Sequence, residues 1–210
     1  MPRRPRPIDA TERATRTREQ ILRAAADCFA KEGYRATRMT SIAEAVGISR
    51  ARLYQHFPGK AELLLALNEY LISEWRVWTQ ESVALARTSC EAIEHWLRGG
   101  LSDPWRIIAL RALSAEDAEG EFLMEHGATR DALDETARVL SMVLERGIAE
   151  GELRADLDVE ATAHALQATL LGHQRNFASD RPIIAVERGR DLDALIDLVL
   201  RGLRAPDTRA

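Results

Sequence analysis

Apolar residues recur at helical spacing along nearly the whole chain. Ile21, Ala25, Cys28 and Phe29 fall at i, i+4, i+7 and i+8, which is one face of an amphipathic helix. That helix is expected to start near Thr15 or Thr17 and to be closed by Gly33. Ile42, Ala43 and Val46 mark a second, short helix with Thr37 as its expected cap and Gly47 as its stop. Ser49 caps a third helix over 50–57, and Pro58-Gly59 breaks the chain again. Three short helices with a middle turn of only Gly47-Ile48-Ser49 predict a helix-turn-helix. A long helix follows from 60 to about 87, its apolar stripe marked by Leu64, Leu67, Leu71, Trp75, Trp78 and Leu85. Further helices are expected over 90–98, ended by Gly99-Gly100, and over 104–115, with a break at 116–120. Three more are expected from 122 or 128 to 150, over 158–177 and over 187–204, with a turn at 151–156 and a break at 180–182. No segment alternates as a strand would, and no repeat is visible.

The predicted fold is therefore all-α with about nine helices. It divides into an arm (1–14), a three-helix helix-turn-helix head (15–59) and a helical body (60–206). Composition agrees with this reading: hydrophobic residues make up 46% and aromatics only 5%, and long proline-free stretches suit long helices. No apolar run approaches the ~18 residues of a membrane span, and the basic N-terminus is not followed by the apolar segment of a secretory signal. Cys28 and Cys90, far apart within helical patterns, read as reduced residues of a cytoplasmic protein.

The net charge of −4 conceals an asymmetry. Residues 1–60 hold 13 Lys+Arg against 6 Asp+Glu, and the remainder 16 against 27. A basic head on an acidic body fits a DNA-binding module joined to a regulatory domain; the alternative is ordinary clustering of solvated charge. Catalytic and metal-binding signatures are missing from the sequence. His164 and His173, nine apart, fall on opposite faces of one helix. No enzyme activity, metal or cofactor is expected.

With Leu53 facing inward, the third helix presents Ala51, Arg52, Tyr54 and Gln55 outward, with Arg50 and His56 at the edges. This face could enter a major groove, where Arg pairs with guanine and Gln with adenine, or be a plain solvated surface. The hydroxyls of Thr37 and Tyr54 suit phosphate oxygens. Lys60 stands in the first turn of the long helix, where its charge opposes the helix dipole, so a phosphate partner would explain it. Arg38, Thr40 and Ser49 complete the candidate DNA-binding set.

Arg18-x-x-Ile21-Leu22-x-Ala24-Ala25-x-x-x-Phe29, Gly33-Tyr34-x-x-Thr37, Ile42-Ala43-x-x-x-Gly47-Ile48-Ser49 and Leu53-Tyr54-x-x-Phe57-x-x-Lys60-x-x-Leu63 together resemble the N-terminal signature of the TetR family. The resemblance implies backbone contacts from Thr37, Tyr54 and Lys60, and base-edge positions for Thr40, Arg50, Ala51 and Arg52. Arg52 stands where a small residue is common, so it either reads guanine or touches phosphate. Arg3, Arg4 and Arg6 either enter a minor groove or add non-specific charge. The resemblance further implies double-stranded DNA with a palindromic operator as partner, a homodimer, and a small-molecule effector of unknown identity that releases a repressor; an activator, or a helical protein-interaction module, is the alternative.

Leu144-x-x-Gly147-Ile148-x-x-Gly151-Glu152-Leu153-Arg154 and the residues after it are similar to the C-terminal region of such regulators, where two long helices pair with their mates. Two stripes fit that role: Ala161, Ala165, Ala168 and Gly172, and Leu192, Leu195, Ile196, Val199 and Leu203; either could instead face the chain's own core. The family's pocket lies among the long helices. Its candidates here are Trp75, Trp78, Trp96, Trp105, Phe122 and Met142, with Arg111 and His126 as polar handles, each equally readable as core or surface.

Overall fold

The computed structural model describes residues 10–102, 127–178 and 189–206. Eight helices occupy them: α1 (Ala10–Glu32), α2 (Met39–Val46), α3 (Arg50–His56), α4 (Lys60–Ala84), α5 (Ser89–Ser102), α6 (Gly127–Ala149), α7 (Val159–Ala178) and α8 (Arg190–Leu203). The fold is all-α. The expected helix over 104–115 and the breaks at 116–120 and 180–182 lie outside the described residues, as do Arg3, Arg4 and Arg6.

Helix boundaries follow local chemistry, with three corrections. First, α1 begins at Ala10, upstream of the expected threonines. No Gly or Pro separates Ala10 from Gly33, and an interior Thr costs at most about 0.7 kcal/mol, so nothing stops the helix there. Second, Arg38 rather than Thr37 is the N-cap of α2, and it makes no side-chain cap bond. Third, α5 runs through Gly99 and Gly100 instead of ending before them. A Cβ at Gly99 would collide with the Trp78 indole, and one at Gly100 would lie 2.8 Å from Trp78 and 3.0 Å from Leu170. These glycines let α5 approach α4 and α7 closely, and that approach makes the loss of helix propensity tolerable. Elsewhere the punctuation holds. Gly33 and Gly47 adopt φ of 81° and 75°, and the Ser49 hydroxyl accepts a bond from the Arg52 N–H at 3.2 Å.

Two apolar cores result. The first gathers Ile21, Ala25 and Phe29 of α1, Ile42 of α2, Leu53 of α3, and Leu63, Leu67 and Leu71 of α4. The second joins Ile93, Trp96 and Leu97 of α5 to Leu140 and Leu144 of α6, Leu166 and Leu170 of α7, and the inner face of α8. α4 packs against α1 at one end and against α5 and α6 further on, so it links the two. Leu85, expected on its apolar stripe, lies just past its end and is 75% exposed.

The turn after α6 fastens the second core. Gly151 takes φ of 72°. The Glu152 carboxylate accepts the free amides of Ser89 (2.6 Å) and Cys90 (2.9 Å) at the start of α5. Burial alone would raise that carboxyl, but the Cys90 amide and thiol, the Ser89 amide and Thr88 together hold it below its ordinary 4.5. The Arg154 N–H donates to the Leu203 carbonyl and the Ala205 N–H to that of Glu152, each at 3.0 Å. The end of α8 is thereby clipped to the turn. Cys28 and Cys90 are free thiols, and burial pushes both up, away from the reactive thiolate.

Candidate nucleic-acid interface

Buried Leu53 anchors α3 to the first core, and helical geometry turns the rest of the helix outward. Arg50, Ala51, Arg52, Tyr54 and Gln55 are exposed and His56 is half-buried. Beside them, Arg38 and Ser49 are exposed and Thr40 is half-buried. The Arg18 guanidinium lies 4.5 Å from the centre of the Phe57 ring and pins the end of α3 to α1. The sequence pattern holds Arg18 and Phe57 but gives no sign that they meet.

Two expected phosphate ligands are engaged elsewhere. Thr37 is only 2% exposed, and its hydroxyl donates to the carbonyls of Gly33 (2.8 Å) and Cys28 (3.2 Å). It closes the loop between α1 and α2 from inside. Lys60 Nζ donates to the carbonyls of Tyr34 (2.6 Å), Thr37 (3.0 Å) and Arg35 (3.1 Å) and lies 4.4 Å from the centre of the Tyr34 ring. Those carbonyls offset the unfavourable dipole position of Lys60, so its presence requires no phosphate.

In the body, Trp75, Trp78 and Trp96 come together. Trp78 stacks on Trp96 with centroids 5.5 Å apart, and Trp75 meets both edge-on. The Trp75 indole N–H donates to Thr136 Oγ1 at 2.6 Å. Met142 is 60% exposed on α6 and does not belong to this group, because it lies off the buried face formed by Thr136, Leu140, Val143 and Gly147. Trp105, Arg111, Phe122 and His126 lie outside the described residues.

Sequence reasoning missed the buried amides. Asn68 donates to Thr129 Oγ1 (3.1 Å), Gln167 to the Leu133 carbonyl (2.9 Å) and Gln174 to the Gly100 carbonyl (2.8 Å). Gln174 Oε1 is buried and has no partner among the described residues. Gln167 and Gln174, seven apart on the face of α7 opposite its alanines, were the available signal.

The two stripes proposed for a dimer part company. Ala161, Ala165, Ala168 and Gly172 are all exposed along α7. Leu192, Ile196 and Leu203 instead face the chain's own second core, while Leu195 and Val199 are half-buried at its rim. Leu198, not singled out from the sequence, is 71% exposed. Between α7 and α8 runs an open groove of about 410 Å³, floored by Ala161, Ala165 and Thr169 and edged by Leu198 and Val199. Among the described residues no cluster of His, Cys, Asp or Glu could hold a metal ion, and no helix is long and apolar enough to cross a membrane.

A buried leucine behind a polar, arginine-bearing recognition helix, with two short helices braced by α1 and α4, defines a helix-turn-helix DNA-binding regulator. Residues 21–67 match the family described as bacterial regulatory proteins, tetR family. The chain is 28% identical to the HTH-type transcriptional repressor AcnR of Corynebacterium efficiens over 201 residues, spanning 93% of this chain and 97% of that one. It is 30% identical to the "Probable HTH-type transcriptional regulator ArpR" of Pseudomonas putida over 172 residues, 77% of this chain and 80% of that one. A solved structure described under the control of antibiotic production by bacterial hormones superposes with a TM-score of 0.73 at 28% identity, covering 90% and 98% of the two chains. The chain belongs to the tetR family. It is a helix-turn-helix transcriptional repressor, not an enzyme.

Proposed function

We propose that the chain acts in the cytoplasm as a homodimer on a palindromic operator and leaves it when a small molecule binds among the long helices. The observation that carries the DNA reading is the exposed face of α3, where Arg50, Arg52, Tyr54 and Gln55 surround buried Leu53. Arg52 reads a guanine edge, and Tyr54 and Arg38 hold the backbone. Working units are the head (15–59) and the body (60–206), with α4 shared between their cores. Supporting the dimer is the exposed small-residue face of α7 beside Leu198, which suits close packing against a second copy.

For the effector, support comes from the interior around Trp75, Trp78 and Trp96. There Gln174 Oε1, beside the Gly100 backbone that packs on Trp78, is a buried acceptor with no partner among the described residues. Trp105, Arg111, Phe122 and His126 remain candidate contacts. Binding there moves α4 and with it the head, so that the two heads no longer match half-sites about one helical turn, roughly 34–36 Å, apart.

The test is selection of the full-length protein on a randomised duplex library near physiological salt. A pseudo-palindromic consensus is expected; salt-sensitive retention with no consensus would refute operator reading. Compounds that perturb the tryptophan fluorescence would then be titrated into the protein–operator complex. An effector that leaves affinity unchanged at equal salt would refute release.

A further inference from the structure

We propose that Arg18 is a phosphate-binding residue of the head: seated on the Phe57 ring at the end of α3, it gives its N–H groups to the DNA backbone beside the recognition helix. The inference rests on the DNA-binding reading above and adds to it a backbone contact carried by α1, outside α2 and α3.

Arg18 stands three and four residues before Ile21 and Leu22, both buried. It therefore lies on the inward side of α1, one turn ahead of the first core. There its guanidinium meets the Phe57 ring, 4.5 Å from the centroid. Phe57 is 2% exposed and ends α3, its N–H bonded to the Leu53 carbonyl at 2.9 Å. The ring is thus a fixed seat for the cation, while the arginine itself stays exposed. Contact with a π face engages none of the five N–H donors of a guanidinium. Among the described residues no acceptor meets them. The adjoining acid, Glu19, is taken by Arg23 and by the Tyr70 hydroxyl, each at 3.1 Å.

Arginines of the body are engaged differently. Arg76 pairs with Glu135 at 2.8 Å, Arg98 with Asp193 at 2.7 Å and Arg201 with Asp197 at 2.8 Å. Arg18 has a fixed seat, open donors and no acid beside it, which suits an anion supplied from outside. Its place in the head identifies that anion. α3 has seven residues, so it is about 10 Å long, and the major groove is about 12 Å wide. When the face around Arg52 and Tyr54 enters a groove, a cation at the C-terminal end of the same helix stands against the groove wall, where the phosphates run. A guanidinium already held by a ring loses less freedom on binding than a loose side chain does. Such a contact carries no sequence information, so it strengthens binding to operator and to random duplex alike.

Full-length Arg18→Met and Arg18→Gln test the proposal, with Arg18→Lys as the charge-retaining control, each checked for helicity by circular dichroism. Methionine can still cover the Phe57 ring but offers no donor. Affinity is measured from low to high salt for the library-selected site and for a random duplex of equal length. The slope of log K against log salt is expected to become shallower by about 0.9 per head in Arg18→Met and Arg18→Gln, on both duplexes, and to be restored in Arg18→Lys. Near physiological salt the same loss corresponds to binding roughly fivefold weaker per head. An unchanged slope in Arg18→Met would overturn the proposal and leave Arg18 as a brace between α1 and α3. So would a loss confined to the selected site, or one that lysine does not restore. If Arg18→Met does not fold, Arg18→Gln decides. Should the wild type select no consensus, operator reading fails, while the slope on random duplex still decides the role of Arg18.

Discussion

In the head, buried polar groups close bonds over short stretches of chain: Thr37 to Gly33 four residues away, and Lys60 to a loop some 25 residues back. In the body some of the corresponding bonds are as local, such as Thr136 to Ala132, but others span far greater separations. Asn68 to Thr129 and Trp75 to Thr136 are each 61 residues apart, and Gln174 to Gly100 is 74. The head turns its charges outward and satisfies its backbone with caps and left-handed glycines. The body keeps amides and indoles inside, where one acceptor stays unmatched among the described residues. A surface that must fit a regular duplex gains from local rigidity. An interior that must admit a guest gains from polar groups whose partners can be exchanged.

The largest effects should come from breaking each core separately. Trp96→Ala removes a 1%-exposed indole from the body and should cost about 3–5 kcal/mol in denaturant titrations; Leu53→Ala in the head should cost about 2–5. All four tryptophans lie in residues 75–105, so fluorescence watches the body alone. Leu53→Ala should abolish DNA binding while leaving the native fluorescence in place. Loss of both signals together would mean that the two cores unfold as one.

Next comes Gly100→Ala, whose Cβ would press on Trp78 and Leu170. A cost of about 1–3 kcal/mol is expected, with altered fluorescence and intact operator binding unless α4 transmits the strain. Arg52→Ala sharpens the comparison from the other side. It should leave melting unchanged and relax discrimination at one base position by about 1–3 kcal/mol. Equal losses on operator and random duplex would assign Arg52 to the backbone. Ser49→Ala, which removes the cap of α3, should cost about 1 kcal/mol in thermal melts.

The smallest effect is one of pH. Because the Glu152 carboxyl is held below its ordinary 4.5, its contribution is fully present above about that pH. It is lost as pH falls further, through the depressed folded value. Glu152→Gln should flatten this part of the acid limb of stability. An unchanged acid limb would mean that the capping bonds do not depend on charge.

The helical class and most of the head were legible because their causes are local. Gly33, Gly47 and Ser49 act on their own backbone, so their spacing places three helices and the face around Leu53. What stayed illegible depends on partners that only folding supplies. Gly99 and Gly100 read as a stop because the Trp78 ring that requires them stands 21 and 22 residues away. The three carbonyls that Lys60 meets could not be foreseen because they converge only in the folded head. On α8, periodicity shows that Leu192, Ile196 and Leu203 face something apolar, yet an inner core and a partner subunit leave the same pattern. Asn68 escaped notice because a single buried amide in a helix carries no spacing signature of its own.

The clip between the turn at Glu152 and the end of α8 also bears on the order of events during synthesis. The head's core is complete once Leu71 has emerged from the ribosome, whereas the Ala205 N–H that bonds the Glu152 carbonyl arrives well over a hundred residues later. Domains fold as units and N-terminal ones first. A nascent chain therefore carries a finished DNA-reading head while the second core is still open, and that core closes only when α8 is delivered.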